Sequence, residues 1–126
     1  MTAQRTVVFV CPHGAGKSRI AAAWFNGLGL PGWTATSAGM EPQQQVSVHA
    51  ARLLQNTPVL PLLDEAMPRP LSAVPERDLL VAIDCSREFP ADHRWDLEQQ
   101  QFTPQMCTEI RDRVQALAAA LAGQPS

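Results

Sequence analysis

The order of apolar runs and helical patterns predicts an α/β fold: a single domain over residues 1–126, three layers deep, with a four-stranded parallel sheet and helices on both faces. Three observations carry this expectation. The run Val7-Val8-Phe9-Val10 is apolar throughout and mostly β-branched, as a buried strand is. A Gly-containing turn and then a helical pattern follow it at once. The run Leu79-Leu80-Val81-Ala82-Ile83, set between Asp78 and Asp84, has the character of a strand buried on both faces, which a parallel sheet requires. A chain of 126 residues with 45% hydrophobic and 17% charged content suits one globular core.

Taken in order, the first strand spans Arg5 to Val10. A helix runs from Ser18, a good N-cap, to about Leu28, with Ile20, Ala21, Trp24, Phe25 and Leu28 on its inner face. Gly27, Gly29 and Pro31-Gly32 end it. Trp33 to Thr36 reads as a short strand, Ser37-Ala38-Gly39 as a tight turn, and Glu41 to Gln45 as polar loop. A second helix covers about Val46 to Gln55, with Val46, Ala50, Leu53 and Leu54 inward. From Thr57 to Pro75 the prolines 58, 61, 68, 70 and 75 exclude a long helix, while Leu60, Leu62 and Leu63 can touch the core. The central strand bounded by Asp78 and Asp84 follows, then a loop from Cys85 to Ala91 and a short last strand over His93 to Leu97. Pro104 stands at the start of a final amphipathic helix to about Ala122, with Ile110, Val114, Leu117 and Leu121 on one stripe.

The formal net charge of −2 gives no general basic surface for nucleic acid or an anionic membrane. The N-terminus lacks the apolar core of a secretory signal, and no apolar run approaches a membrane span, so a soluble, cytoplasmic protein is expected. Three cysteines, at 11, 85 and 107, do not form a disulfide framework, and His13, His49 and His93 have no metal-ligand spacing. No metal or cofactor is implied. Cys85 and Cys107 read first as core residues.

Cys11 differs because of its place. Cys11-Pro12-His13-Gly14-Ala15-Gly16-Lys17-Ser18 joins the first strand to the first helix. Strand, tight Gly loop and helix N-terminus together make an anion site, since free N–H groups and the helix dipole favour negative charge. Phosphate or another tetrahedral oxyanion is the expected ligand, held by Pro12, His13, Gly14, Ala15, Gly16 and Lys17, with a cysteine opening the loop. The same stretch differs by one residue from the nucleotide loop GxxxxGK[ST], cysteine standing at the first glycine, and Leu80-Val81-Ala82-Ile83-Asp84 imitates the acidic strand that accompanies such loops. A nucleotide binder is therefore a rival reading.

Three stretches in this order resemble the low-molecular-weight protein tyrosine phosphatases and their arsenate reductase relatives. Cys11 with Lys17-Ser18 is similar to the family's Cys-x5-Arg-Ser signature, Thr36-Ser37-Ala38-Gly39-Met40 to its Ser-Ala-Gly segment with Val48-His49-Ala50 following, and Asp78 to Asp84 to its third strand. Pro68-Arg69-Pro70-Leu71 is similar to the family's approach to that strand. The resemblance covers nearly the whole chain and implies the family's phosphatase-like fold. It also implies Cys11 as nucleophile, Lys17 and Ser18 as partners in catalysis, and Ser37 and Asp84 as supporting residues. Departures are as plain. Lysine replaces the family arginine, Gly14 its loop asparagine and Gly16 its second loop cysteine. The Asp-Pro general acid is missing, with Gln99 at the aligned position and Glu98 and Asp96 as the nearest carboxylates.

The implied reaction is phosphate-monoester hydrolysis through a phosphocysteine on Cys11. A thiolate attacks, and loop amides, a helix N-terminus and a neighbouring cation favour that form. Lysine meets an oxyanion as a point charge where arginine grips two oxygens, so phosphoryl transfer should weaken more than anion binding. Small aryl phosphates with good leaving groups are the expected substrates, with a phosphorylated protein as the other candidate partner. Trp33, Trp95 and Phe102 could serve as an aromatic platform or simply pack. Two further readings stay open: a non-catalytic module that binds a phosphorylated partner, and an arsenate reductase-like thiol enzyme with Cys85 as redox partner.

Overall fold

The computed structural model describes residues 4–12, 16–40, 48–64, 69–74, 77–85, 90–98 and 101–123. Four strands, β1 (Arg5–Cys11), β2 (Trp33–Gly39), β3 (Leu79–Ile83) and β4 (His93–Trp95), form one parallel sheet in the order β2-β1-β3-β4. The helices are α1 (Lys17–Gly27), α2 (Val48–Leu54) and α3 (Pro104–Ala122). The chain leaves β1 toward β2 on one side and returns to β3 on the other. The carboxyl ends of β1 and β3 therefore meet at a topological switch point, where a crevice opens in folds of this kind.

Alternation along the strands divides the core. Val7, Phe9 and Cys11 face one side with Val81 and Ile83, against Ile20, Phe25, Leu54, Ile110 and Val114 of the helices. Val8 and Val10 face the other with Ala38, Ala82 and Cys85, covered by Leu71, Val74 and Ala91. The helical layer described there is the 3-10 turn Leu71–Ala73. α3 matches its expected span, with Thr103 capping Met106 N–H at 3.2 Å and Pro104 in the first turn. Its expected stripe is buried, each such side chain contributing about 1.5–3 kcal/mol.

Several boundaries differ from the sequence reading, each for a visible reason. Helix α1 starts at Lys17 with Gly16 as its cap residue, not at Ser18, because the Ser18 side chain is turned inward. It continues through Gly27, which ends beside Val59: a Cβ there would lie 2.5 Å from Val59 Cγ1. Leu28, one residue beyond, is exposed rather than on the inner face. Ser37-Ala38-Gly39 is strand, not turn, since the ladder to β1 runs on through Cys11↔Gly39. β4 stops at Trp95 because the Leu97 N–H is taken by the Asp84 side chain. Among residues 57–64, Val59 and Leu63 are buried, while Leu62 is exposed.

β2 is one edge of the sheet, and residues from α1 and from beyond α2 cover it. Asn26 pairs with both backbone groups of Ala35, at 2.8 and 3.0 Å. Arg69 donates to the Ser37 carbonyl at 3.0 Å, and its own carbonyl accepts from Gly39 N–H at 2.9 Å. An edge so occupied is closed to strands of other chains.

Candidate active site

Cys11 is the last residue of β1, buried on the helix-bearing face. Its thiol donates to Ser18 Oγ at 3.1 Å. Ser18 is fully buried in the first turn of α1. The strand end and the helix start are therefore joined by the two side chains that the sequence marks for chemistry. His13, Gly14 and Ala15 lie outside the described residues. Pro12 and Gly16 flank that stretch, Gly16 accepting the Ile20 N–H at 3.0 Å as the helix opens.

Lys17 reaches across to the end of β3. Its Nζ donates to Asp84 Oδ2 at 2.6 Å, with both side chains nearly buried. Asp84 has φ 54, a left-handed conformation that aspartate and asparagine tolerate better than other side chains. Its second oxygen accepts the Leu97 N–H at 2.9 Å, and its own N–H donates to the Trp95 carbonyl at 2.9 Å. One carboxylate thus holds the loop cation and the segment after β4.

That segment carries the two carboxylates expected near the site. Asp96 and Glu98 are both exposed on either side of the tethered Leu97. The Asp96 carbonyl accepts from Arg113, and the Glu98 N–H donates to Glu109 at 3.0 Å, beside a groove on the first turns of α3. No described hydrogen bond or ion pair joins either side chain to Cys11, Ser18 or Lys17. Gln99 lies outside the described residues.

Ser37 is buried in β2, level with Phe9 of β1. Cys85 is buried on the opposite sheet face, its sulfur 3.5 Å from the carbonyl of Val10, the neighbour of Cys11. Burial first, and the neighbouring Cys11 second, push its pKa up to about 11. Cys107 packs in the core with its sulfur 3.9 Å from the Leu53 carbonyl. The aromatic candidates pack: Trp95 on Phe9 at 5.6 Å, Trp33 under the Arg5 guanidinium at 5.4 Å, and Phe102 on His49 at 5.2 Å. Among the described residues, no group of three or more His, Cys, Asp or Glu is placed to hold a metal ion, and no helix is long and apolar enough to cross a membrane.

Sequence reading missed Arg19. It follows Ser18, is 1% exposed, and donates from Nη1 to the Asp64 carbonyl. Desolvation lowers its pKa, Asp64 opposes that, Arg69 adds to it, and the charge of Cys11 favours the charged form. The signal was its position in the first turn of α1, masked there by alanines that read as an ordinary helix face.

No family model matches the chain, and no curated protein matches it in sequence. Solved structures do match. An arsenate reductase from Archaeoglobus fulgidus superposes with a TM-score of 0.71 at 29% identity, over 90% of this chain and 98% of that one. A thioredoxin-dependent arsenate reductase of Corynebacterium glutamicum gives 0.77 at 25% identity, over 95% of this chain and 63% of that one. A low-molecular-weight phosphotyrosine phosphatase from Vibrio cholerae gives 0.74 at 16% identity, over 97% and 99%, a likeness of fold alone. The chain thus has the fold of arsenate reductases and low-molecular-weight phosphotyrosine phosphatases, with a cysteine that ends β1 against a serine opening α1.

Proposed function

We propose that the chain is a thiol enzyme acting on a tetrahedral oxyanion, with Cys11 as nucleophile and phosphate-monoester hydrolysis as its reaction. The carrying observation is the Cys11–Ser18 contact of 3.1 Å at the mouth of the strand–loop–helix unit. In this reading Cys11 sulfur attacks phosphorus, the alcohol leaves, and water then displaces the phosphoryl group from sulfur. Ser18 orients the sulfur, and Lys17 supplies one point charge. With Lys17 already on Asp84 and no Asp-Pro acid, turnover should be slow and should favour leaving groups that need no proton. Proton donation is typically worth ~10²–10⁴ in rate. The nucleotide-loop reading loses support here. Ser18 and Asp84, the groups that would hold magnesium, are engaged with Cys11 and Lys17 instead.

A second reading, arsenate reduction, is favoured by Cys85 and by arsenate reductases among the similar structures. Cys11 would add to arsenate with loss of water. Cys85 thiolate would then attack the Cys11 sulfur, and arsenite would leave with the electron pair as the disulfide forms. An external thiol would reduce that disulfide. The raised Cys85 pKa leaves little thiolate for this second attack at neutral pH.

Hydrolysis of para-nitrophenyl phosphate and consumption of arsenate, each followed for the unsubstituted chain, Cys11→Ser and Cys85→Ser, test both readings. Loss of hydrolysis in Cys11→Ser alone supports the phosphatase reading. Arsenate consumption that disappears in both variants supports the redox reading. Hydrolysis that survives Cys11→Ser rules out the phosphocysteine. Phosphate binding without turnover, in the unsubstituted chain and in Lys17→Arg alike, would assign the site to recognition of a phosphorylated partner.

A further inference from the structure

Asp84 holds two unlike groups with one carboxylate. Its Oδ2 accepts from Lys17 Nζ at 2.6 Å, and its Oδ1 accepts from the Leu97 N–H at 2.9 Å. Both side chains of the ion pair are nearly buried, so solvent ions screen it weakly. The end of the sheet is closed without the carboxylate, by the backbone bond from Asp84 N–H to the Trp95 carbonyl. The backbone at Asp84 is left-handed, with φ 54, a conformation that glycine adopts at less cost. A side chain kept at such a place, with both oxygens engaged, implies a use for the carboxylate itself.

The two groups it holds serve different parts of the site. Lys17 opens α1 and, in the reading above, supplies charge to the oxyanion. Leu97 lies between Asp96 and Glu98, the carboxylates nearest the expected acid position. Its side chain is buried, and its neighbours are fixed on α3. The Asp96 carbonyl accepts from Arg113 at 3.3 Å, the Glu98 N–H donates to Glu109 at 3.0 Å, and Arg113 pairs with Glu109 at 3.1 Å. The segment is thus held by α3 at its two ends and by Asp84 at its middle. An ammonium draws charge from the carboxylate it touches. When another anion takes a share of that ammonium, the carboxylate becomes a stronger acceptor for its remaining donor.

We propose that Asp84 is a positioning residue that couples the oxyanion to the segment after β4. As the anion draws on Lys17, Asp84 tightens on the Leu97 N–H and firms the segment that carries Asp96 and Glu98. The inference rests on the oxyanion reading above and deepens it, since it says how occupancy of the site reaches those carboxylates. The coupling is reciprocal: a loosened segment weakens the anion's hold on Lys17.

Amide hydrogen exchange of the full chain, read by NMR with and without saturating inorganic phosphate, tests it. The Asp92 N–H, bonded to the Leu80 carbonyl before β4, is the reference for general stabilisation by the ligand. Phosphate should slow exchange at Leu97 by roughly fivefold more than at Asp92. In Asp84→Asn the extra slowing should vanish while phosphate still binds. Asparagine tolerates the left-handed backbone and still accepts from Leu97, but it cannot pair with an ammonium as an ion. A merely structural Asp84 would leave Leu97 and Asp92 responding alike in the unsubstituted chain, and that result overturns the inference. Extra slowing that persists in Asp84→Asn overturns it as well. Calorimetry with phosphate separates the two failures. Binding without extra slowing at Leu97 removes the coupling alone, whereas no binding by the unsubstituted chain removes the oxyanion reading with it.

Discussion

Lys17 and Arg19 stand two residues apart on one turn of α1, and they are handled in opposite ways. Lys17 reaches forward, past the end of β1, to a single carboxylate at the end of β3. Arg19 reaches back to a carboxylate that a second guanidinium also holds. The forward pair is one cation on one carboxylate, both nearly buried. In the rear cluster Arg19 is wholly buried, while Arg69 and Asp64 are part-exposed. The difference teaches that neighbouring cations of one helix turn tie different parts of the chain together, Lys17 the end of β3 and Arg19 the segment around Asp64.

The largest effect should come from removing the nucleophile and leaving both cation groups in place. Cys11→Ser is expected to lower hydrolysis of para-nitrophenyl phosphate by roughly 10³-fold or more, with phosphate affinity kept in calorimetry. Equal loss of binding and turnover would mean that Cys11 shapes the loop rather than reacts in it.

The forward cation comes next. Lys17→Met is expected to cut kcat/KM by about 10². Lys17→Arg should raise it, because a fork can hold Asp84 and an oxyanion oxygen together. If neither substitution changes kcat/KM, the forward pair is only a structural ion pair and the contrast with Arg19 collapses.

A third test uses Cys85, which feels the same loop from the other sheet face. Its pKa is raised to about 11, against an ordinary value of 9.0. The folded state therefore favours the protonated thiol. That stability is fully present below pH 9 and is lost as the pH rises toward 11. Chemical denaturation across this window should show Cys85→Ala losing less stability than the unsubstituted chain. Parallel losses in the two proteins would contradict the burial effect.

The smallest effects are expected at Asp96 and Glu98. Asp96→Asn and Glu98→Gln should change nitrophenyl phosphate hydrolysis by less than about threefold, since a good leaving group needs no proton. Steady-state rates on phosphotyrosine should fall further at whichever position supplies the acid. Equal, small changes on both substrates would remove these carboxylates from the reaction.

Much of this arrangement was legible in the residues. The apolar runs of β1 and β3 can only be buried strands, and the α3 stripe matches a helix face. Cys11, Ser18, Lys17 and Asp84 were marked by their positions at element ends, and the structure brings them together in two contacts. Illegible features were long-range. Ser37-Ala38-Gly39 looks like a turn because its strand character comes from β1, not from its own side chains. Leu97 leaves the β4 ladder for a side chain thirteen residues earlier in the chain. Arg19 and Asp64 are forty-five positions apart, so neither announces the other.

The central claim is that Cys11 sulfur takes up the phosphoryl group. Rapid acid quench during para-nitrophenyl phosphate turnover, followed by peptide mass spectrometry, tests it most directly. The expected result is one added phosphoryl mass on the peptide containing Cys11, absent in Cys11→Ser. Turnover with no adduct on that peptide, or with the adduct on another residue, would contradict it.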